Sequence, residues 1–275
     1  MWYNIYMSDL EEYKQLGEPE KQEKSGIWQT AIGLQQVDGL TPSKYLIETA
    51  KKNIEGELTI YQVKERLDSY YKAKPVKSAD DRTEEADKVA AHIAEVLSEK
   101  TFTFSPAEYI TIHKRLFTGI YKFAGKIRDY NISKNEWVLD GGTVYYASAD
   151  SIRAALDYDF TQEKGFRYNG LNAEQITRHI VKFISGLWQI HAFGEGNTRT
   201  TAVFAVKYLR TFGFAVSNDL FAENSWFFRN ALVRANYNDY KNGVFATYEY
   251  LNRFFDNLLL NGKHVLKNRE LIIKK

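Results

Sequence analysis

The chain has 275 residues, of which 44% are hydrophobic and 15% aromatic, a composition typical of a globular protein with a buried core. Its 37 Lys and Arg residues against 35 Asp and Glu give a net charge of +2, which argues against broad binding to nucleic acid or to membrane surfaces. The absence of cysteine excludes disulfides, thiolate metal sites and cysteine nucleophiles.

Membrane and export signals are also missing from the sequence. No run approaches the roughly 20 apolar residues that a membrane span requires. Residues 1–13 lack the apolar core of a signal peptide. We therefore expect a soluble, cytoplasmic protein with no membrane partner and no nucleic-acid partner, and the sequence leaves homo-oligomerisation open.

The N-terminal part of the chain carries two helix signals. Thr41-Pro42 is typical of an N-cap followed by a first-turn proline, and a second helix is predicted to run to Tyr71. The basic, proline-broken stretch 72–78 then indicates a boundary. We predict a small helical module at residues 1–74 and a larger domain at 75–275.

Helical patterns dominate the larger domain as well. Residues 105–108 form a capping box with proline at the first helical position, and residues 172–175 mark another helix start. Further periodic stretches cover residues 84–99, 149–162, 225–240 and 245–260. The sequence thus predicts an all-α bundle, with strand-like material confined to one segment.

That segment is predicted to be a β-hairpin flap. Two short apolar runs, 137–139 and 144–146, flank an Asp-Gly-Gly turn signal. An exposed hairpin edge could bind a target protein by adding a strand, and a hairpin that only covers the core is an equal alternative. The candidate target-binding residues are Val138, Leu139, Val144 and Tyr145.

A long apolar stripe precedes the strongest signal in the chain. Six residues recur at three- and four-residue steps and predict a core helix: Ile176, Ile180, Phe183, Ile184, Leu187 and Trp188. His191 continues this stripe. A histidine there is, taken alone, more often a hydrogen-bonded core residue than a catalyst.

The residues that follow this histidine favour a phosphate site beside a base. Gly194 and Gly196 permit unusual backbone conformations, so that N–H groups could converge on an anion where Asn197 opens a new helix. Arg199 could donate paired hydrogen bonds to phosphate oxygens. Glu195 offers the carboxylate that Mg²⁺ prefers beside a nucleotide. Each residue alone has a plainer role, in a turn, a surface ion pair or a solvated loop.

The stretch resembles the signature of the Fic/Doc family, His-Xaa-Phe-Xaa-Asp/Glu-Gly-Asn-Gly-Arg-Xaa-Xaa-Arg. Members of this family commonly transfer AMP from ATP to a hydroxyl side chain of a protein. Residues 113–117 and 120–128 also resemble scaffold segments of the family, so the similarity spans residues 84–260 and implies a Fic-type helical bundle. Six of eight specified positions match: His191, Phe193, Glu195, Gly196, Asn197 and Arg199.

Two positions depart from the signature. Ala202 stands where the family has its last arginine, which is associated there with the γ-phosphate and with an inhibitory glutamate. Thr198 stands where the family has glycine, and it puts a side chain beside the anion site. These departures leave two alternatives open: a nucleotide-binding regulatory protein with little turnover, and transfer of a different phosphate-containing group.

The resemblance implies a mechanism for the site. His191 would accept the proton of a Ser, Thr or Tyr hydroxyl as its oxygen attacks the α-phosphorus of ATP, with Mg²⁺ on Glu195. Charge stabilisation would supply most of the rate. Tyr237 lies where family members contact the nucleoside and could stack on a base. The phosphates would be held by Gly194, Gly196, Asn197 and Arg199.

The N-terminal helices resemble the small antitoxin partners that inhibit Fic proteins through the motif Ser/Thr-Xaa-Xaa-Xaa-Glu-Gly/Asn. Asp38 is the nearer match to the glutamate, although Leu34 occupies the hydroxyl position. Glu55 is the second candidate, with Lys51 at that position. The resemblance implies autoinhibition by residues 1–74, and an ordinary helical extension that completes the core stays open.

Overall fold

The computed structural model describes residues 10, 12–13, 18–74, 81–214 and 219–273. Contacts among them define two compact units. The first contains the described residues up to Thr101 together with Arg115–Ala124 and those within 217–225, and the second contains the rest. The predicted division at residue 74 stays a prediction, and residues 75–78 of the predicted boundary stretch lie outside the described residues.

The first unit is built from helices that pack chiefly on its longest member. Its helices are α1 (Pro19–Gly33), α2 (Lys44–Ile54), α3 (Ile60–Lys72) and α4 (Thr83–Ser98), with a 3-10 helix at Leu34–Asp38 after α1. Both α1 and α3 pack against α4. Gly33 must be glycine because an added Cβ would lie 2.3 Å from the Ala222 Cα atom of the same unit.

The start of α2 differs from the sequence-based prediction. The cap is Ser43 rather than Thr41, because the Ser43 hydroxyl accepts a 3.1 Å hydrogen bond from the Leu46 N–H. The Ser43 N–H and the Tyr71 hydroxyl donate to the buried Asp87 carboxylate at 2.7 and 2.6 Å. Asp87 therefore joins α2, α3 and α4, and its burial raises the pKa of its carboxyl.

The second unit is also helical, so the predicted all-α class is confirmed. It contains most of α5 (Pro106–Phe117) and of α9 (Asp219–Ala235), together with α6 (Ile152–Gly165), α7 (Ala173–Ile190), α8 (Asn197–Thr211) and α10 (Glu249–Leu259). The predicted helix start at Asn172 is confirmed, and the structure shows it as a capping box with both hydrogen bonds to Gln175. Helix α7 packs against α6, α8 and α10, and no described helix has the length and apolar run that crossing a bilayer would need.

The predicted β-hairpin is wrong. Trp137–Leu139 form a 3-10 turn, and no strand occurs between residues 132 and 148, all of which are described. The chain does reverse there, with a 2.9 Å bond from the Glu136 N–H to the Gly142 carbonyl. The neighbours Val138 and Leu139 are both buried, whereas a strand sends successive side chains to opposite faces. Asp140 and Gly141 both have positive φ, which tightens the turn further.

Candidate active site

His191 lies at the end of α7 in a conformation that few non-glycine residues adopt. Its φ and ψ of 51° and 56° are left-handed, and its N–H donates to the Trp188 carbonyl at 3.1 Å, which ends the helix. Such a conformation costs a non-glycine residue roughly 1–2 kcal/mol. Strained residues of this kind cluster at functional sites, and the conformation of His191 is consistent with such a role.

The His191 imidazole is held as a neutral base. Its Nδ1 lies 3.3 Å from the Trp188 carbonyl oxygen, which can only accept, so Nδ1 carries the proton and Nε2 the lone pair. Nε2 is buried and makes no hydrogen bond within the described residues. Burial, assisted by the positive charges of Lys134, Arg128 and Arg229, holds the pKa of His191 well below its ordinary value.

Arg128 organises the backbone around this base. Its buried guanidinium donates from Nε to the His191 carbonyl at 2.8 Å and from Nη1 to the Tyr130 carbonyl at 2.6 Å. Nη2 donates to the Ala147 carbonyl at 2.5 Å. The Arg128 N–H also donates to the Ala192 carbonyl at 3.0 Å. The Arg128 side chain thus binds both Ala147, at the end of the flap, and His191, where the loop that carries the signature residues begins.

His113 supports the same loop from α5. Its Nδ1 accepts a 2.8 Å bond from the Gly125 N–H, so Nε2 carries the proton and donates to the Glu195 carbonyl at 3.0 Å. Its ring stacks on Phe193 at 3.7 Å between centroids. Burial lowers the pKa of His113 to about 4. These contacts make His113 a neutral structural residue at ordinary pH.

The loop itself is closed by Asn197. Its Oδ1 accepts from the Phe193 N–H at 3.0 Å and its Nδ2 donates to the Phe193 carbonyl at 2.7 Å. Gly196, the N-cap of α8, has a φ of 78°, whereas Gly194 does not have the positive φ expected for it. A converging set of N–H groups can therefore form only around Gly196 and the first turn of α8.

The two departures from the signature have defined environments. Thr198 is buried, and its hydroxyl accepts a 3.0 Å bond from the Trp188 indole N–H. Trp188 consequently contacts both the base and the residue that replaces glycine. Ala202 is fully buried one turn further along α8, and the Arg199 guanidinium also has no exposed surface.

Glu195 is the candidate metal ligand. Its carboxylate is 47% exposed and forms a 3.0 Å ion pair with Lys134. Among the described residues no three His, Asp or Glu side chains gather into a metal cluster. One accessible carboxylate nonetheless fits Mg²⁺, which is commonly held by one or two carboxylates together with nucleotide phosphates.

A buried charged network lies beside the base. Glu136 is 1% exposed and receives two bonds from Arg229, at 2.6 and 3.1 Å. The Tyr146 hydroxyl donates to the Glu136 carboxylate at 3.3 Å. The Tyr146 ring lies 4.0 Å from the His191 ring, and burial raises the pKa of Tyr146.

The residues predicted to bind the target protein and the nucleoside differ in how far they are exposed. Val138, Leu139 and Val144 are buried, whereas Tyr145 is 81% exposed. The Val138 carbonyl accepts a 2.9 Å bond from the Ile273 N–H, so the C-terminal segment already occupies part of the predicted edge. Tyr237 is half-buried beside Gly142, where an added Cβ would lie 3.2 Å from its hydroxyl.

The two candidate inhibitory residues belong to the first unit. Asp38 ends the 3-10 helix before Gly39, and its charge acts on Arg82. The Glu55 carboxylate is paired with the Lys21 ammonium at 2.8 Å. Glu55 thus already has a cationic partner within its own unit.

Sequence reasoning missed several residues of the site. Arg128 and His113 fell inside the predicted scaffold segments but were given no role. Tyr146 was placed in the flap without its link to the base. Glu136 and Arg229 are 93 positions apart, and no local spacing could have paired them.

Comparison with known proteins identifies similar sequences and folds. Residues 103–209 match the family model of the Fic/DOC family. The chain is 29% identical over 108 residues to the protein adenylyltransferase VbhT of Bartonella schoenbuchensis. That alignment covers 39% of this chain, and the chain spans about a fifth, 21%, of the relative's length.

Two solved structures are similar in fold. A Fic family protein from Desulfovibrio desulfuricans G20 superposes with a TM-score of 0.57 at 12% identity, over 93% of this chain and 70% of that one. The N-terminal Fic domain of a Bartonella effector protein from Bartonella sp. AR 15-3 gives a TM-score of 0.46 at 19% identity, over 86% and 88%. The first of these similarities supports the helical fold.

Proposed function

Because this chain carries a Fic/DOC family domain over residues 103–209, we propose that it transfers a nucleoside monophosphate to a protein hydroxyl. AMP from ATP is the first candidate, and the acceptor is a Ser, Thr or Tyr of a target protein or of the chain itself. The observation that carries the proposal is the His191 Nε2, a buried lone pair with no hydrogen-bond partner among the described residues. A relative that matches part of the chain is named a protein adenylyltransferase.

The transfer step uses that lone pair directly. The acceptor oxygen attacks the α-phosphorus, and its proton passes to Nε2 of His191. A new P–O bond forms as the bond from the α-phosphorus to the bridging oxygen breaks, and pyrophosphate leaves. The imidazolium formed keeps its Nδ1–H bond to the Trp188 carbonyl, which preserves the orientation of the ring.

The phosphates would lie at the start of α8. The N-terminus of this 15-residue helix favours negative charge, and the left-handed Gly196 turns the chain so that the first N–H groups face outward from the helix end. Glu195 would hold Mg²⁺, which supplies charge neutralisation of the phosphates when bound. Arg199 and Asn197 complete the proposed set. Since the Asn197 side chain already bonds Phe193, its contribution would come chiefly from its backbone N–H.

The acceptor and the nucleoside would approach from the flap side. Tyr145 is the exposed flap residue, and its carbonyl accepts a 3.1 Å bond from the Gln189 side chain of α7. Tyr237, beside the flap glycine Gly142, is the candidate for stacking on the base.

The position of a ³²P label in ATP distinguishes the proposed reaction from its alternatives. The protein is incubated with Mg²⁺, a cell lysate as the acceptor source, and ATP carrying ³²P at either the α- or the γ-phosphate. We expect label in protein only from α-labelled ATP. Incorporation only from γ-labelled ATP would replace nucleotidyl transfer with phosphoryl transfer.

A second candidate is a nucleotide-binding regulatory protein with little turnover. It is favoured by the alanine at position 202 and by the engagement of the Thr198 hydroxyl with the Trp188 indole. This candidate predicts no label in protein from either form of ATP. It also predicts that ATP raises the melting temperature, as any ligand that binds only the folded state does.

We further propose that the N-terminal module restrains transfer, with Asp38 as the inhibitory residue. Glu55 is the weaker candidate because Lys21 already neutralises it. The test compares Asp38→Gly with the matched change Glu55→Gly in the full chain. Faster transfer in Asp38→Gly alone supports the proposal, and equal rates in both variants and the wild type would favour a structural extension.

A further inference from the structure

Two aromatic rings confine the imidazole of His191. The Tyr146 ring lies 4.0 Å away between centroids at an interplanar angle of 33°. The Trp188 ring lies 5.3 Å away at 87°, an edge-to-face contact. The two rings also contact each other at 5.9 Å and 73°. The imidazole is therefore packed against a partly stacked face and a perpendicular edge.

The Tyr146 hydroxyl lies beside a buried ion pair. Its hydroxyl donates to the Glu136 carboxylate at 3.3 Å, and that carboxylate is bound by both terminal nitrogens of Arg229. A buried carboxylate with a bidentate partner stays in place because breaking the ion pair would leave a buried charge without compensation. Glu136 also bonds the flap backbone at Gly142. Arg229 thus holds the Glu136 carboxylate in place beside the Tyr146 hydroxyl.

The His191 ring needs this support because its own hydrogen bond is weak. A separation of 3.3 Å between Nδ1 and the Trp188 oxygen is at the long end for an N–H···O bond. Rotation of the ring by a half-turn would exchange Nδ1 with a carbon and turn Nε2 away. The Tyr146 ring, packed 4.0 Å from the imidazole, blocks this rotation because the turning imidazole would pass through the space that the Tyr146 ring occupies.

We propose that Tyr146 is a positioning residue for His191, acting through the contact of its ring with the imidazole. It keeps the Nδ1–H tautomer and leaves the Nε2 lone pair in a single direction. The catalytic consequence rests on the proposed function, whereas the orientation of the ring does not. Two neighbouring residues of the flap thus have different roles: Tyr146 contacts the base, and Tyr145 is exposed to solvent.

The test measures the imidazole directly. Histidine is labelled with ¹⁵N, and the signals of His191, one of five histidines, are identified by their loss in His191→Ala. At neutral pH the wild type should show the Nδ1–H tautomer. In Tyr146→Leu we expect shifts that average between the two tautomers, and in Tyr146→Phe, which keeps the ring, shifts close to the wild type. Tyr145→Leu, the exposed neighbour, is the control for these signals and should leave them unchanged.

Kinetics supply the second readout. If transfer occurs, Tyr146→Leu should lower kcat by about tenfold to a hundredfold, part of the roughly 10²- to 10⁴-fold contribution of a positioned base, with KM nearly unchanged. Recovery in Tyr146→Phe is expected because the ring, rather than the hydroxyl, contacts the base. If neither the wild type nor Asp38→Gly transfers a nucleotide but Tyr146→Leu still changes the His191 tautomer, the proposed function is wrong and the positioning role remains.

Unchanged His191 shifts in a folded Tyr146→Leu variant would overturn the inference. If that variant does not fold, wild-type nuclear Overhauser effects decide the question. Cross-peaks between the Tyr146 ring protons and the His191 ring protons are expected at a 4.0 Å ring separation. Their absence would contradict the contact on which the proposal depends.

Discussion

The Arg128 guanidinium donates a 2.8 Å hydrogen bond to the backbone carbonyl of His191. The same side chain also binds the carbonyls of Tyr130 and Ala147, so it joins three separate segments around the base. A base whose proton-accepting atom points into a buried space needs a rigid backbone behind it. Arg128 provides that rigidity for His191.

The first prediction concerns this residue. Arg128→Gln removes several donors and leaves buried carbonyls without partners, each of which costs about 1–3 kcal/mol. We expect the free energy of unfolding to fall by about 3 kcal/mol in total. Urea denaturation measures the change. Arg153→Gln on the exposed face of α6 is the control and should stay within about 0.5 kcal/mol of the wild type. If Arg128→Gln has the same urea midpoint as the wild type, Arg128 does not hold the backbone around the base.

The second prediction concerns the glycine that starts α8. Gly196→Ala places a side chain at a φ of 78° and should destabilise the protein by about 1–2 kcal/mol. Gly165→Ala at the end of α6 is the matched change, because that glycine has no positive φ and an added Cβ meets nothing within 4 Å. Thermal denaturation of both should separate them. Equal melting temperatures would show that the left-handed turn is not required.

The third prediction is a pH dependence of stability that comes from His113. Its pKa is about 4 in the folded protein and about 6.5 when unfolded, so the unfolded chain takes up the proton first as the pH falls. The free energy of unfolding should therefore be fully retained above about pH 6.5 and decrease below it, by about 2 kcal/mol at pH 5 from this residue.

His113→Gln, which does not titrate there, serves as the comparison. Urea denaturation at several pH values should give a smaller loss on acidification for this variant than for the wild type. His92 and His191, whose pKa values are also lowered by burial, titrate in both proteins, so the difference isolates His113. Parallel pH profiles for the two proteins would mean that His113 is accessible to protons in the folded state.

The fourth prediction concerns Glu195. Its ion pair with Lys134 is partly exposed and contributes at most about 1 kcal/mol, so Glu195→Gln should leave the melting temperature nearly unchanged. Calorimetry should show that the variant binds ATP with little enhancement by Mg²⁺. Glu174→Gln, at another exposed ion pair, should keep the wild-type enhancement. Equal Mg²⁺ enhancement in both variants would remove Glu195 as the metal ligand.

The sequence predicted what depends on local patterns. The apolar stripe of α7 and the helix starts at Asn172 and Asn197 are confirmed, because periodicity and caps act within a few residues. The strand prediction for the flap was wrong, since two consecutive buried residues followed by left-handed positions fit a 3-10 turn better than a ladder.

The contacts that shape the site were beyond local reasoning. Arg128 reaches a carbonyl 63 positions away, and His113 reaches the Glu195 carbonyl over 82 positions. Such pairs are decided by packing, which a single sequence does not display. The same limit applies to Gly194, which does not have a positive φ although its residue type permits one.

The most direct test of the central claim is the intact mass of the protein after incubation with Mg²⁺ and an equal mixture of nucleotides, for the wild type and Asp38→Gly and for each combined with His191→Ala. The account predicts a gain of one nucleoside monophosphate in the Asp38→Gly protein that is absent when His191 is replaced, with nucleotide binding and melting temperature retained. The same gain in the His191→Ala proteins would contradict the assignment of His191 as the base.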